Sequence, residues 1–212
     1  MKKIIYPYIK YPNFHLEQQY KGLVVGIDEV GTGSWAGPVI AVSFCFLIPP
    51  KRTLFYNLKD SKKVTKQKRE KIYENIIQER KKKLCIFSIK GANVQEIDRL
   101  NILEATKKAM TKSFYSLNLT ASSVLIDGKN SIKLPCPVKT IIKGDQFSSS
   151  IAAASIVAKI TRDNIMKNLN YGNIKYQWNK NVGYGTKEHR ILLLKNGPSQ
   201  QHRKSFNPIL SL

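Results

Sequence analysis

Apolar residues follow two rhythms along this chain, and the change from one to the other marks its elements. Leu23–Ile27 and Val39–Leu47 are short unbroken apolar runs, the pattern of strands buried on both faces. Pro49 and Pro50 end the second run. Leu84–Ile89, Ser122–Ile126 and Val138–Ile142 predict three more strands. Elsewhere the apolar spacing lengthens to a helical period. Thr65 caps a predicted helix to about Lys82, with Ile72, Tyr73, Ile76 and Ile77 on its apolar side. Asn93 opens a long predicted helix carrying Val94, Ile97, Leu100, Leu103, Met110, Phe114 and Leu117. Ser148–Ser150 cap a third, SIAAASIVAKITRDNIM, whose small residues suit close packing on a sheet. A Tyr- and Asn-rich linker around 168–182 leads to a last helix, capped by Thr186 and stopped by Asn196-Gly197-Pro198. Alternating strands and helices argue for one α/β domain. Its expected parts are an N-terminal extension (1–21), a core (22–167) and a helical C-terminal segment packed on that core (168–212).

Composition narrows the partner. Lys and Arg number 36 against 14 Asp and Glu, a formal net charge of +22. Cations in that excess gain affinity for a polyphosphate by displacing its counterions, which favours nucleic acid. The 42% hydrophobic content is enough for a real core. Cys45, Cys85 and Cys136 show no CxxC spacing, so neither zinc nor a disulfide framework is expected, which suits a reducing compartment. No apolar run reaches membrane-spanning length, and Pro7, Lys10 and Pro12 interrupt any signal-peptide core. The expectation is a cytoplasmic monomer without membrane contact.

The few acids are the informative residues. Those on predicted helices, such as Glu70, Glu74, Glu79 and Glu104, are explained by pairing with nearby Lys or Arg. Asp28, Asp127 and Asp145 instead close apolar runs, at VVGID, VLID and TIIKGD, and Glu29 follows the first. Either later turn alone is explained by the ordinary preference of Asp and Gly for turns. All of them together, in a cationic chain, point to acids converging where an α/β sheet places its sites. Converging carboxylates repel unless cations lie between them, and an oxygen-only donor set suits Mg²⁺ or Mn²⁺. Two ions about 3.5–4 Å apart can clamp the attacking and leaving oxygens of a phosphodiester. Residue chemistry thus reaches a metal-dependent nuclease or phosphotransferase. Gly31-x-Gly33-x-x-Ala36 also fits a loose dinucleotide fingerprint, but a strand follows where a helix is required, and Asp28-Glu29 would repel a pyrophosphate.

The motifs GIDEVGTGSWAGPV, LKDSKKVTKQKREKIYE, IDRLNILEAT, VLIDGK, KGDQFSSSIAAASIVAKITRD, GYGTKEH and HRKSF, in this order, resemble ribonuclease HII from Gly22 to about Ile209. The resemblance implies an RNase H-like fold: a mixed central sheet with flanking helices and a helical C-terminal segment. It implies endonucleolytic cleavage of the RNA strand of RNA/DNA hybrids, and cleavage at ribonucleotides embedded in duplex DNA, in DNA replication and repair. Its four metal-binding acids fall on Asp28, Glu29, Asp127 and Asp145, which would hold two Mg²⁺ or Mn²⁺ ions and leave 3′-hydroxyl and 5′-phosphate ends. Its substrate-sensing tyrosine falls on Tyr184. Its Gly-Arg-Gly triplet corresponds to Gly31-Thr32-Gly33, a form that looks more like the sister family, ribonuclease HIII. Lys62, Lys63 and Lys143 would contact phosphate. Two alternatives remain at this level: a hybrid-only nuclease like ribonuclease HIII, and a catalytically weak binding protein on the same scaffold.

Overall fold

The computed structural model describes residues 12–50 and 65–212. The stretch LKDSKK, with Lys62 and Lys63, lies outside the described residues. Five strands, β1 (Val24–Val30), β2 (Val39–Phe46), β3 (Cys85–Ala92), β4 (Ser123–Asp127) and β5 (Val138–Ile141), form one sheet in the order β3-β2-β1-β4-β5. β1, β2 and β3 pair antiparallel, whereas β4 and β5 join the other side of β1 in parallel. The expected mixed sheet is present.

Helices cover both faces: α1 (Lys66–Lys81), α2 (Val94–Leu100), α3 (Ile102–Tyr115), α4 (Ser149–Gly172), the short α5 (Trp178–Asn181) and α6 (Lys187–Asn196). On one face Ile40, Val42, Phe44 and Phe46 of β2 pack against Ile72 and Ile76 of α1 and the Ala-rich start of α4. On the other, Val25, Ile27, Val124 and Ile126 pack against Ala109, Met110 and Phe114 of α3. The strand side chains alternate between these two layers, as the pleat requires.

Three local readings are corrected. Asp28 and Glu29 lie within β1, paired with Val42 and Ala41, because β2 extends alongside them after the glycine turn. The long helix from Asn93 is two helices, broken at Asn101, whose φ of +66° is left-handed and whose side chain accepts from the Glu104 N–H to cap α3. The apolar period runs through this break, so hydrophobic spacing conceals it. The expected linker begins as helix, since α4 continues to Gly172. Thr65 and Thr186 cap α1 and α6 as predicted.

Candidate active site

The parallel half of the sheet places the acids. Ile27 pairs with Ile126, so the next residues on the two strands, Asp28 and Asp127, are neighbours at the end of β4. Asp127 in turn aligns with Ile141 on β5, and the chain then bends into the short turn Gly144–Gln146. The Gly144 N–H donates to Asp127 Oδ1 at 2.6 Å, which ties this turn, and Asp145 within it, to the end of β4. Asp28 and Asp145 are buried, whereas Asp127 and Glu29 are half-buried. Gly26 lets α4 approach β1: a Cβ there would lie 2.3 Å from the Ser150 carbonyl carbon.

A cleft of ≈ 380 Å³ is lined by Asp28, Glu29 and Asp127 together with Gly31, Thr32 and Tyr184. The sequence-predicted Gly33, Lys143 and Asp145 are not among the described residues lining it. Burial pushes the Asp28 carboxyl well above the ordinary carboxylate range, and the charges of Asp127 and Glu29 push it the same way. The Ser155 hydroxyl and the Glu29 N–H, which donates to Asp28 Oδ1 at 2.7 Å, act in the opposite direction. Crowded like charges of this kind are relieved by a cation, and an all-carboxylate donor set matches a hard divalent ion. The residues therefore fit Mg²⁺ or Mn²⁺ by donor chemistry. Among the described residues, no three His, Cys, Asp or Glu side chains already form a closed ion-binding group.

The cleft also includes Arg69, Ser155 and Lys159, which the sequence reading missed. Ser155, Lys159 and Arg162 stand at helical spacing on one side of α4, a signal that becomes readable once that side is known to face the acids. Lys159 is paired with Asp163 at 2.7 Å.

Two buried arginines shape the glycine turn. Arg203 donates from Nη2 to the carbonyls of Gly31 (2.7 Å) and Gly37 (2.9 Å), and from Nη1 to that of Thr32 (3.1 Å). Arg162 donates to the carbonyls of Ala36, Pro38 and Val182, and its guanidinium lies 5.4 Å from the centre of the Tyr184 ring. Gly31 has φ +93°, and a Cβ there would collide with Arg162 Nε at 2.2 Å, so the turn demands glycine at that point. Thr32 and Gly33 remain exposed. The shape of the triplet is thus held through backbone carbonyls, with the residue 32 side chain free to differ.

Tyr184 has its own support. Its carbonyl meets His189 Nδ1 at 2.9 Å, His189 Nε2 meets His202 Nε2 at 3.1 Å, and the Ser199 N–H donates to His202 Nδ1 at 2.9 Å. Both imidazoles are fully buried. Because Ser199 supplies a donor, His202 Nδ1 accepts and its Nε2 carries the proton toward His189, which donates from Nδ1 to Tyr184. One set of neutral tautomers satisfies every contact.

Comparison with known proteins gives the family and the fold. The family model described as Ribonuclease HII matches residues 25–209. A ribonuclease HII of Gluconobacter oxydans is 44% identical over 201 residues, covering 95% of this chain and 96% of the relative. Among solved structures, ribonuclease H2 from Pyrococcus horikoshii superposes with a TM-score of 0.70 at 19% identity, covering 89% of this chain and 96% of that one. Bst-RNase HIII in complex with Mn²⁺ superposes with a TM-score of 0.56 at 18% identity, over 74% of this chain and 56% of that one. At those identities the structures speak for the fold, and the sequence matches speak for the lineage. A family match over nearly the whole chain, on a sheet that gathers its acids beside a glycine turn, means that the protein belongs to the ribonuclease HII family and is a ribonuclease H hydrolase.

Proposed function

We propose that the protein cleaves the RNA strand of RNA/DNA hybrids and cuts at ribonucleotides embedded in duplex DNA, using Asp28, Glu29, Asp127 and Asp145 to hold two divalent ions. The observation that carries this reading is the shared cleft, in which three of those acids, the Gly31-Thr32 turn and Tyr184 face one volume. Divalent ions held there would supply an activated water and stabilise the leaving oxygen, giving 3′-hydroxyl and 5′-phosphate ends. The backbone N–H groups of Gly31, Thr32 and Gly33 recognise the ribose 2′-hydroxyl, the handle that separates RNA from DNA. Tyr184 packs against the neighbouring sugar. Lys62, Lys63 and Lys143 bind flanking phosphates, to which Arg69 and Lys159 are added by their place in the cleft. The functional unit is the 22–167 core with the 168–212 segment packed on it, working as a monomer in the cytoplasm.

Cleavage of a DNA duplex carrying one ribonucleotide, beside a continuous hybrid, tests the proposal in Mg²⁺ and in Mn²⁺. Both substrates should be cut, and Asp127→Asn should abolish cutting while leaving hybrid binding within about twofold, since the loss concerns metal chemistry rather than substrate affinity. Unimpaired cleavage by Asp127→Asn would overturn the acid assignment. Thr32 favours a second reading, a nuclease that cuts only continuous hybrids. On that reading the single-ribonucleotide duplex resists the wild-type enzyme, and Thr32→Arg restores its cleavage.

A further inference from the structure

The segment preceding β1 carries no chemistry recognisable from sequence, yet it contains an acidic side chain that is only 2% exposed, Glu17. Glu17 Oε1 accepts from Ser148 Oγ at 2.7 Å and from the Ser150 N–H at 2.8 Å. Four residues earlier, Asn13 pairs with Ser148 as an isolated parallel bridge. The Asn13 N–H donates to the Phe147 carbonyl, and the Ser149 N–H donates to the Asn13 carbonyl. Residues 13–17 therefore strap down the turn at 147–150.

That turn matters for what it joins. It begins two residues after Asp145 and forms the N-terminus of α4, a 24-residue helix whose first N–H groups need partners from outside the helix and whose dipole favours an acidic group. The Ser148 N–H donates to the Gly144 carbonyl at 2.8 Å, and the Gly144 N–H reaches Asp127 Oδ1. Through Gly26 the same turn lies flush against β1, two residues before Asp28. A path of direct contacts thus runs from Glu17 through Ser148 and Gly144 to Asp127, and through Ser150 to the strand bearing Asp28.

We propose that Glu17 is a positioning residue for the acid site: by fixing the first turn of α4 it sets Asp145 and Asp127 relative to Asp28, and so sets the affinity for divalent metal. This rests on the four-acid reading above. Supporting groups behind metal ligands characteristically alter metal affinity by about 10–100-fold when removed.

Calorimetric titration with Mn²⁺ of the wild type, Glu17→Ala, Glu17→Asp, Glu17→Gln and Asp127→Asn decides the matter. Glu17→Ala should weaken Mn²⁺ binding about tenfold and raise the Mn²⁺ concentration giving half-maximal hybrid cleavage in parallel, while KM for the hybrid stays unchanged. Glu17→Gln retains an accepting oxygen and should recover most of the affinity. Glu17→Asp, one methylene short, should fall between them. Wild-type Mn²⁺ affinity in Glu17→Ala would overturn the proposal even if its Tm has dropped, because it would leave Glu17 a role in stability alone. If Glu17→Ala does not fold, Glu17→Asp decides by the same criterion. Undiminished Mn²⁺ binding by Asp127→Asn would instead overturn the four-acid reading.

Discussion

Arg203 shows how much a single side chain can do at a turn that carries little chemistry of its own. Its guanidinium is buried among backbone carbonyls, and burial, followed by the charge of Arg162, brings its pKa down to about 9. Charge-assisted hydrogen bonds to the Gly31, Thr32 and Gly37 carbonyls offset that desolvation. Lysine cannot reproduce the planar fork. Arg203→Lys should therefore cost roughly 2–4 kcal/mol and lower Tm by about 5–12 °C, as thermal unfolding would show. On the function proposed above, discrimination between ribose and deoxyribose should suffer too, since the triplet is held through these carbonyls. Sequence alone ranked Thr32 as the doubtful residue because a family arginine is missing there. The structure shifts the weight to Arg162 and Arg203, whose part a linear reading does not show because their acceptors are carbonyls far away in the chain.

At the scale of elements, the site depends on how closely α4 lies on β1. Gly26 allows that approach, and a Cβ there meets main-chain atoms of Ser150 and Ile151 at 2.3 and 2.4 Å. Main chain cannot swing aside like a side-chain tip, so Gly26→Ala must shift the helix. The expected cost is about 1–3 kcal/mol, with a fall in cleavage, measured well below Tm, larger than the fraction unfolded explains. Gly33→Ala, where a Cβ meets nothing within 4 Å, is the control for stability. The strands and most helix caps were legible because they are local: apolar runs bounded by Pro, Asp and Gly, and Thr or Ser before a helical period. The break at Asn101 was hidden because Leu100 and Leu103 continue the apolar rhythm through a left-handed residue. Asp28, Glu29 and Asp127, which line one cleft, could be grouped from their positions at the ends of apolar runs. Which residues of α4 face them could not, since that requires the packing angle of the helix.

Across the whole molecule, the C-terminal residues return to the glycine turn, with His202 bridging to Ala36 and Arg203 N–H donating to the Trp35 carbonyl. This closure has a pH signature. Burial, followed by the charge of His189, pushes His202 from 6.5 down to about 4. Between those values the unfolded chain binds more protons than the folded one, so stability is complete above about 6.5 and declines as pH falls toward 4. The loss attributable to His202 should reach on the order of 2–3 kcal/mol. It is read as the difference in Tm against pH between the wild type and His202→Gln, a comparison that removes the opposing effect of raised carboxylates such as Asp28. The placing of β1 at the middle of the sheet bears on how the chain matures. Its antiparallel neighbour β2 follows at once, but its parallel neighbour β4 arrives only after α1, β3, α2 and α3 have been synthesised. Pairing across such a separation is slow, and until it occurs one apolar edge of β1 is bare. Asp28 is therefore expected to meet Asp127 only after the antiparallel half of the sheet has paired, an order that pulse-labelled hydrogen exchange during refolding would show. A chain ending before residue 149 contains all five strands but lacks α4, whose start packs on β1 at Gly26, so hydrolytic activity is expected only from chains that extend through that helix.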